Sequence, residues 1–173
     1  MASALQTQSE QLIPFNFRAV PYDQIPDHCR VKKINTDEDW SIPTDNYDGI
    51  RAIQIGDCIT VFVVIYQPGS DQTAGRITEI VASHISRGGD LDSVKEEWPT
   101  YETDNAHVYV IGGTEHSDEL LKNIQNVYND IFKSVPRQIK EIIYREAEKS
   151  GKKYLDAYMD VDGRFLYAVH DNE

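Results

Sequence analysis

Cysteine is scarce in this chain: among 173 residues only Cys29 and Cys58 occur. Two thiols cannot build the framework of bridges that holds a small secreted domain, and a reducing compartment is the simpler expectation. Long apolar runs are missing as well. No stretch approaches the roughly 20 residues a helix needs to cross a bilayer. The opening "MASALQTQSEQLIPF" has no basic region followed by an apolar one, so no secretory signal is expected. A cytoplasmic protein is predicted, or one exported into a host cell by a specialised route. Positive charge is in deficit too: 17 Lys and Arg face 29 Asp and Glu, for a formal net charge of −12. Nucleic-acid phosphates and anionic membranes both require a basic surface, so neither is an expected partner. Metal-ligand spacing is lacking. His28-Cys29, His107 and His116 do not form a zinc pattern. "DVDG" lacks the later ligands and closing Glu of a calcium loop and reads as a hairpin turn. No cofactor or metal is therefore expected.

What is present suffices for one domain. Apolar residues make up 40% and charged residues 27%, an ordinary balance for a chain long enough to bury a core without staples. Residues 1–11 are polar and are expected to be a disordered tail, with a single α+β domain over 12–173. Between 12 and 49, Pro14, Pro21, Pro26 and Pro43 separate short apolar pieces, read as short strands and turns that include "HCRVKKI". "DEDWSIPTDNYDG" reads as a loop.

"IRAIQI", "CITVFVVIY" and "AHVYVIGG" are β-branched and short, which predicts strands. "RITEIVASHI" reads as a further strand, with a short helix as the alternative. "QPGSDQTAG" and "RGGDLDSVKEEWPTYETDN" are connections, the latter a polar loop with room for one helical turn. In "SDELLKNIQNVYNDIFKS", Leu120, Ile124, Val127 and Ile131 form one stripe, flanked by Leu121, Tyr128 and Phe132. That is helical spacing, with Ser117 as N-cap and Asp118 and Glu119 in the first turn. A second helix is expected from near Pro136 to a stop at Gly151. "KYLDAYMDVDGRFLYAVH" alternates on both sides of Asp162-Gly163, a hairpin signal. Strands first, then two helices, then a hairpin predict an α+β fold: a layered, sandwich-like sheet with two helices from the C-terminal half packed on it.

The chemical question lies in "IRAIQIGDCITVFVVI" and "VASHISRGG". Cys58 follows a Gly56-Asp57 turn and opens an apolar strand; His84 closes another. A catalytic cysteine must be a thiolate or become one as a base takes its proton. Cys58 opens strand-forming residues, so the helix dipole that supports a papain-like thiolate is not available. Activation would come from a neighbouring imidazole and from backbone amides at the Gly56-Asp57 turn, which also suit an oxyanion. Asp57 opposes a low thiol pKa, because a nearby anion disfavours the thiolate. A strand cysteine is ordinarily core, and a histidine ending an apolar run is ordinarily a hydrogen-bonded structural residue. On composition and spacing the reading stops at an α+β domain. "HVYVIGGTEHSDE" places a glycine turn before a helix N-terminus but lacks the Lys and spacing of a phosphate-binding loop, so a tight strand-to-helix turn is expected.

The order Gly-x-Cys opening an apolar strand, a variable connection, then an apolar strand ending in "ASHIS" resembles the chemotaxis-receptor glutamine deamidase family, CheD. "AHVYVIGG" is similar to that family's strand ending in Phe-Gly-Gly, and "HSDELLKNIQNVYNDI" to the helix that follows it. The same Cys-His architecture occurs in toxin deamidases of the cytotoxic necrotizing factor type. The resemblance covers roughly residues 50 to 135, and more loosely the rest of the chain to its end. It implies that Cys58 attacks the side-chain amide of a glutamine in a protein substrate, with His84 as base and the backbone around Asp57 and Cys58 holding the oxyanion. Attack of an amine on the same thioester would give transglutamination. A catalytically silent binding module on this fold and a cysteine peptidase are the alternatives.

Overall fold

In a computed structural model, described over residues 16–67, 76–92, 106–131 and 139–172, the chain forms two open five-stranded sheets packed face to face. The first contains β1 (Arg18–Ala19), β2 (Val31–Ile34), β4 (Gly49–Ile55), β9 (Tyr154–Asp160) and β10 (Phe165–His170), in the order β1-β10-β9-β4-β2. The second contains β3 (Asp39–Ile42), β5 (Ile59–Tyr66), β6 (Ile77–Ile85), β7 (Ala106–Gly112) and β8 (Ile139–Tyr144), in the order β3-β6-β5-β7-β8. Helix α1 (Asp118–Ile131) packs on the outer face of the second sheet, and α2 (Glu146–Lys149) is a single turn. The α+β layered architecture read from the sequence is the one observed.

β5 shows why the central strands are mostly apolar. Phe62, Val64 and Tyr66 point into the sandwich, where Phe62, Phe17, Tyr109 and Phe165 pack as an aromatic cluster with neighbouring ring centroids 5.2–6.1 Å apart. Ile59, Val61 and Val63 point the other way, against Leu120, Ile124 and Tyr128 of α1. A strand covered on both faces has no position left for a polar alternation. The stripe read from "SDELLKNIQNVYNDI" is this helix face.

Two expectations are corrected. "DEDWSIPTDNYDG" is not all loop: Asp39–Ile42 is β3, antiparallel to β6, because Trp40 packs against the core and Ile42 is buried within it. The second helix is mostly strand. Ile139–Tyr144 pairs in parallel with β7, and among the described residues of that stretch only Glu146–Lys149 is helical. Ile139, Ile142 and Ile143 favour a pleated edge when a buried strand offers one. Gly151, at φ +71°, does end α2. Asp162-Gly163 does turn the β9–β10 hairpin, with Gly163 at φ +87°. The short-helix alternative for "RITEIVASHI" gives way to β6. The 1–11 tail, the "QPGSDQTAG" turn, residues 93–105 of the long polar loop, Phe132 and Pro136 lie outside the described residues.

Candidate active site

Two connections cross from the first sheet to the second at one end of the sandwich: residues 35–38, between β2 and β3, and residues 56–58, between β4 and β5. Cys58 sits in the second and faces the interior. β6 pairs with β5 so that His84 lies opposite Thr60, which brings its ring to the same end. The 35–38 connection clasps the His84 backbone: the Asp37 amide donates to the His84 carbonyl, and the His84 amide to the Glu38 carbonyl. Cys58 Sγ and His84 Nε2 are thereby 2.9 Å apart, though 26 residues separate them in the chain.

The tautomer follows from the partners. His84 Nδ1 is 3.4 Å from the Ile34 carbonyl oxygen, which can only accept, so Nδ1 carries the proton. Nε2 is then the acceptor and the thiol the donor. Around the sulfur, the Gly56 amide donates at 3.4 Å and the Thr36 hydroxyl at 3.9 Å, and the Gln54 carbonyl lies at 3.9 Å. Burial pushes the Cys58 thiol above its ordinary value; the Gly56 amide and Thr36 hydroxyl oppose this, while Asp57 adds to it. Burial pushes the His84 imidazole below its ordinary value, against the opposing pull of the Ile34 carbonyl and the carboxylates of Asp37, Asp156 and Glu38. Both directions favour a neutral thiol beside a neutral imidazole over a preformed ion pair. Such a pair reacts by passing the proton as the sulfur attacks.

Cys58 and His84 are thus paired, and both are buried, at 8% and 1% exposure. Beside them a pocket of about 360 Å³ is lined by His84 and by Asp37, Asp39 and Asp90.

Gly56 has room for a methyl group, so what it contributes is its amide. Asp57 turns away from the thiol: its carboxylate accepts from Thr114 Oγ1 and lies 3.8 Å from Arg87, and its carbonyl accepts from Ser117 Oγ at 2.6 Å. Ser117 stands at the N-cap position of α1, its carbonyl accepting from the Leu121 amide at 2.9 Å. Its hydroxyl fastens the start of that helix to the Cys58 corner, while also accepting from the Thr114 amide. Among the described residues no backbone carbonyl accepts from the Asp57 or Cys58 amide, and the Cys58 amide faces its own Sγ.

Three contributors were not read from the sequence: the Ile34 carbonyl, Thr36 and Gln54. The first two leave no sequence signal, because a backbone acceptor has no residue type and one threonine has no spacing. Gln54 is left-handed at φ +54°, where glycine is the ordinary occupant. The other candidates do not join the site. His28 and Cys29 are exposed. His116 lies 3.4 Å from Glu115 on the surface, and His107 packs edge-on to Tyr66. Among the described residues no three His, Cys, Asp or Glu side chains converge as metal ligands, and no helix is long and apolar enough to cross a membrane. No protein-family model matches the chain, and no curated protein matches it.

Proposed function

We propose that the protein is a cysteine-dependent deamidase acting on a glutamine side chain of a protein substrate, as its resemblance to the CheD and cytotoxic necrotizing factor enzymes implies. The observation that carries the reading is the Cys58 Sγ–His84 Nε2 contact of 2.9 Å, with Nδ1 turned to the Ile34 carbonyl. The thiol proton passes to Nε2 as Sγ bonds to the amide carbon, and the carbonyl electrons move onto oxygen. The Asp57 and Cys58 amides receive that oxyanion. The C–N bond then breaks, the nitrogen leaves with the His84 proton as ammonia, and a thioester remains. A water deprotonated by Nε2 attacks it, and its collapse restores the thiol and leaves glutamate. An amine in place of water gives transglutamination. Burial of the thiol supports a side-chain amide as substrate over a backbone peptide bond, because a long, slender side chain reaches a recessed sulfur more readily. The acidic surface suits a basic substrate protein.

A catalytically silent binding module on this fold is the second reading, and burial of the thiol is what favours it. Iodoacetamide alkylation of Cys58 against pH, in a Cys29→Ala background with and without His84→Ala, separates the two. The deamidase reading expects a rate that rises as His84 loses its proton, below its ordinary value of about 6.5, and is already high at pH 7. His84→Ala should lower the pH 7 rate by about 100-fold, the scale of general-base assistance. A slow rate that rises only with ordinary thiol ionisation, unchanged by His84→Ala, would sink it. Ammonia release from a basic glutamine-bearing protein, lost in Cys58→Ser, is the direct assay.

A further inference from the structure

β4 carries an irregularity just before the cysteine corner. Its pairing with β9 runs from Ala52↔Ala157 to Ile55↔Leu155, so one extra β4 residue is accommodated opposite Asp156. This bulge changes the phase of the strand. Ile50 and Ala52 face the sandwich core, and so does Ile55, an odd number of residues on. A one-residue slip exchanges the two faces of a strand. The bulge thus determines which way the chain points as it enters Gly56-Asp57-Cys58. At its centre stands Gln54, a non-glycine residue at φ +54°, a conformation that persists only where its surroundings hold it.

The holder is Asp156. Its Oδ1 accepts from the Gln54 amide at 2.9 Å and from His170 Nε2 at 2.7 Å, and its Oδ2 from Arg51 Nε at 2.8 Å. The Asn172 amide donates to His170 Nδ1, which fixes the proton on Nε2. Arg51 also reaches the carbonyls of Ile25 and Pro26, and its guanidinium lies over the Tyr22 ring, so the carboxylate is locked from every side. Beyond Gln54, its carbonyl is the group 3.9 Å from Cys58 Sγ.

We propose that Asp156 is a positioning residue for Cys58. Its Oδ1 fixes the left-handed Gln54 at the bulge, and through Gln54 the corner that aims the thiol at His84. The catalytic value of that aim rests on the deamidase reading; the aim itself does not.

The test uses the full chain carrying Cys29→Ala, with three variants: Asp156→Ala, Asp156→Asn and Asp160→Asn. Asp160 is a second buried carboxylate of β9, held by Tyr158 and Arg164 at the other end of the strand. Two quantities are read: the pH profile of Cys58 alkylation, and the NMR shifts of the Gln54 amide and the Cys58 β-carbon. Asp156→Ala should move both shifts and slow alkylation at neutral pH tenfold or more, since about 1 Å of misplacement can cost roughly 100-fold. Asp156→Asn keeps an oxygen for the Gln54 amide, so it should retain the wild-type shifts and the neutral-pH alkylation rate. It melts lower, and without the carboxylate that pulls the His84 imidazole upward its His84-dependent limb moves to lower pH. Asp160→Asn should melt lower with both unchanged.

The proposal is overturned if Asp156→Ala leaves the Gln54 and Cys58 shifts in place, or if Asp160→Asn moves them equally. If Asp156→Ala does not fold, Asp156→Asn decides: a folded protein with displaced shifts overturns it. A wild type lacking the His84-dependent limb defeats the deamidase reading alone, because the shifts still judge Asp156.

Discussion

Gly112→Ala is the sharpest test of how the second sheet shapes the site. Gly112 ends β7 opposite Ile59, at φ +125°. A methyl group there would overlap Ile55 Cγ2 and stand 2.8 Å from the Cys58 carbonyl oxygen, the oxygen that accepts from the Gly113 amide at 3.0 Å. Two costs add. Forcing a side chain into that backbone region costs about 1–3 kcal/mol, and overpacking a filled interior about 1–3 kcal/mol more. The sum, roughly 2–6 kcal/mol, is a large share of the 5–15 kcal/mol that ordinarily holds a domain together. Relief requires moving the corner, and with it Sγ. Urea unfolding followed by circular dichroism measures the first effect; the Cys58 alkylation rate at pH 7 measures the second and should fall. Gly88→Ala is the control, since nothing lies within 4 Å of its added methyl; it should stay within about 0.5 kcal/mol of wild type. A Gly112→Ala protein that matches Gly88→Ala in both measurements would refute the argument.

Acid should destabilise the protein through His107, whose imidazole burial and Lys140 push down to about 4. The unfolded chain binds this proton near pH 6.5 and the folded one does not, so stability is lost as pH falls from about 6.5 towards 4. At 1.36 kcal/mol per unit, discounted for partial solvent access, the loss is about 2 kcal/mol. His107→Phe should flatten urea midpoints between pH 7 and 4.5, and an unchanged slope would count against the assignment. Arg51→Met strands the Asp156 carboxylate, whose side chain is 1% exposed, and should cost about 3–5 kcal/mol in urea unfolding. A loss under 1 kcal/mol would mean that His170 and the Gln54 amide satisfy Asp156 alone.

Elements with a dense local pattern were legible. β5 and β7 are apolar but for Thr60 and His107, α1 carries a stripe at helical spacing, and Asp162-Gly163 announces its hairpin. β3 and β8 were misread because their strand character comes from neighbours: Trp40 and Ile42 pair with β6, and Ile139–Tyr144 completes the edge beyond β7. In the site, Cys58 and His84 were recognisable as residue types at strand ends. Asp156 was hidden for a different reason. "YLDAYMD" alternates, a pattern that does not say which face is buried, and Asp156 is sealed beneath Arg51, Tyr22 and His170.

By itself, then, the sequence determined the periods of the main elements, the acidic balance of charge and the two candidate side chains, because these depend on residues a few positions apart. Tertiary structure alone decided that the two meet. Their 2.9 Å contact requires the β5–β6 register, two sheet crossings at one end of the sandwich, and a bulge whose amide is held by a carboxylate 102 residues away. Contacts of that separation are set by how whole strands pair and pack, and no local pattern encodes them.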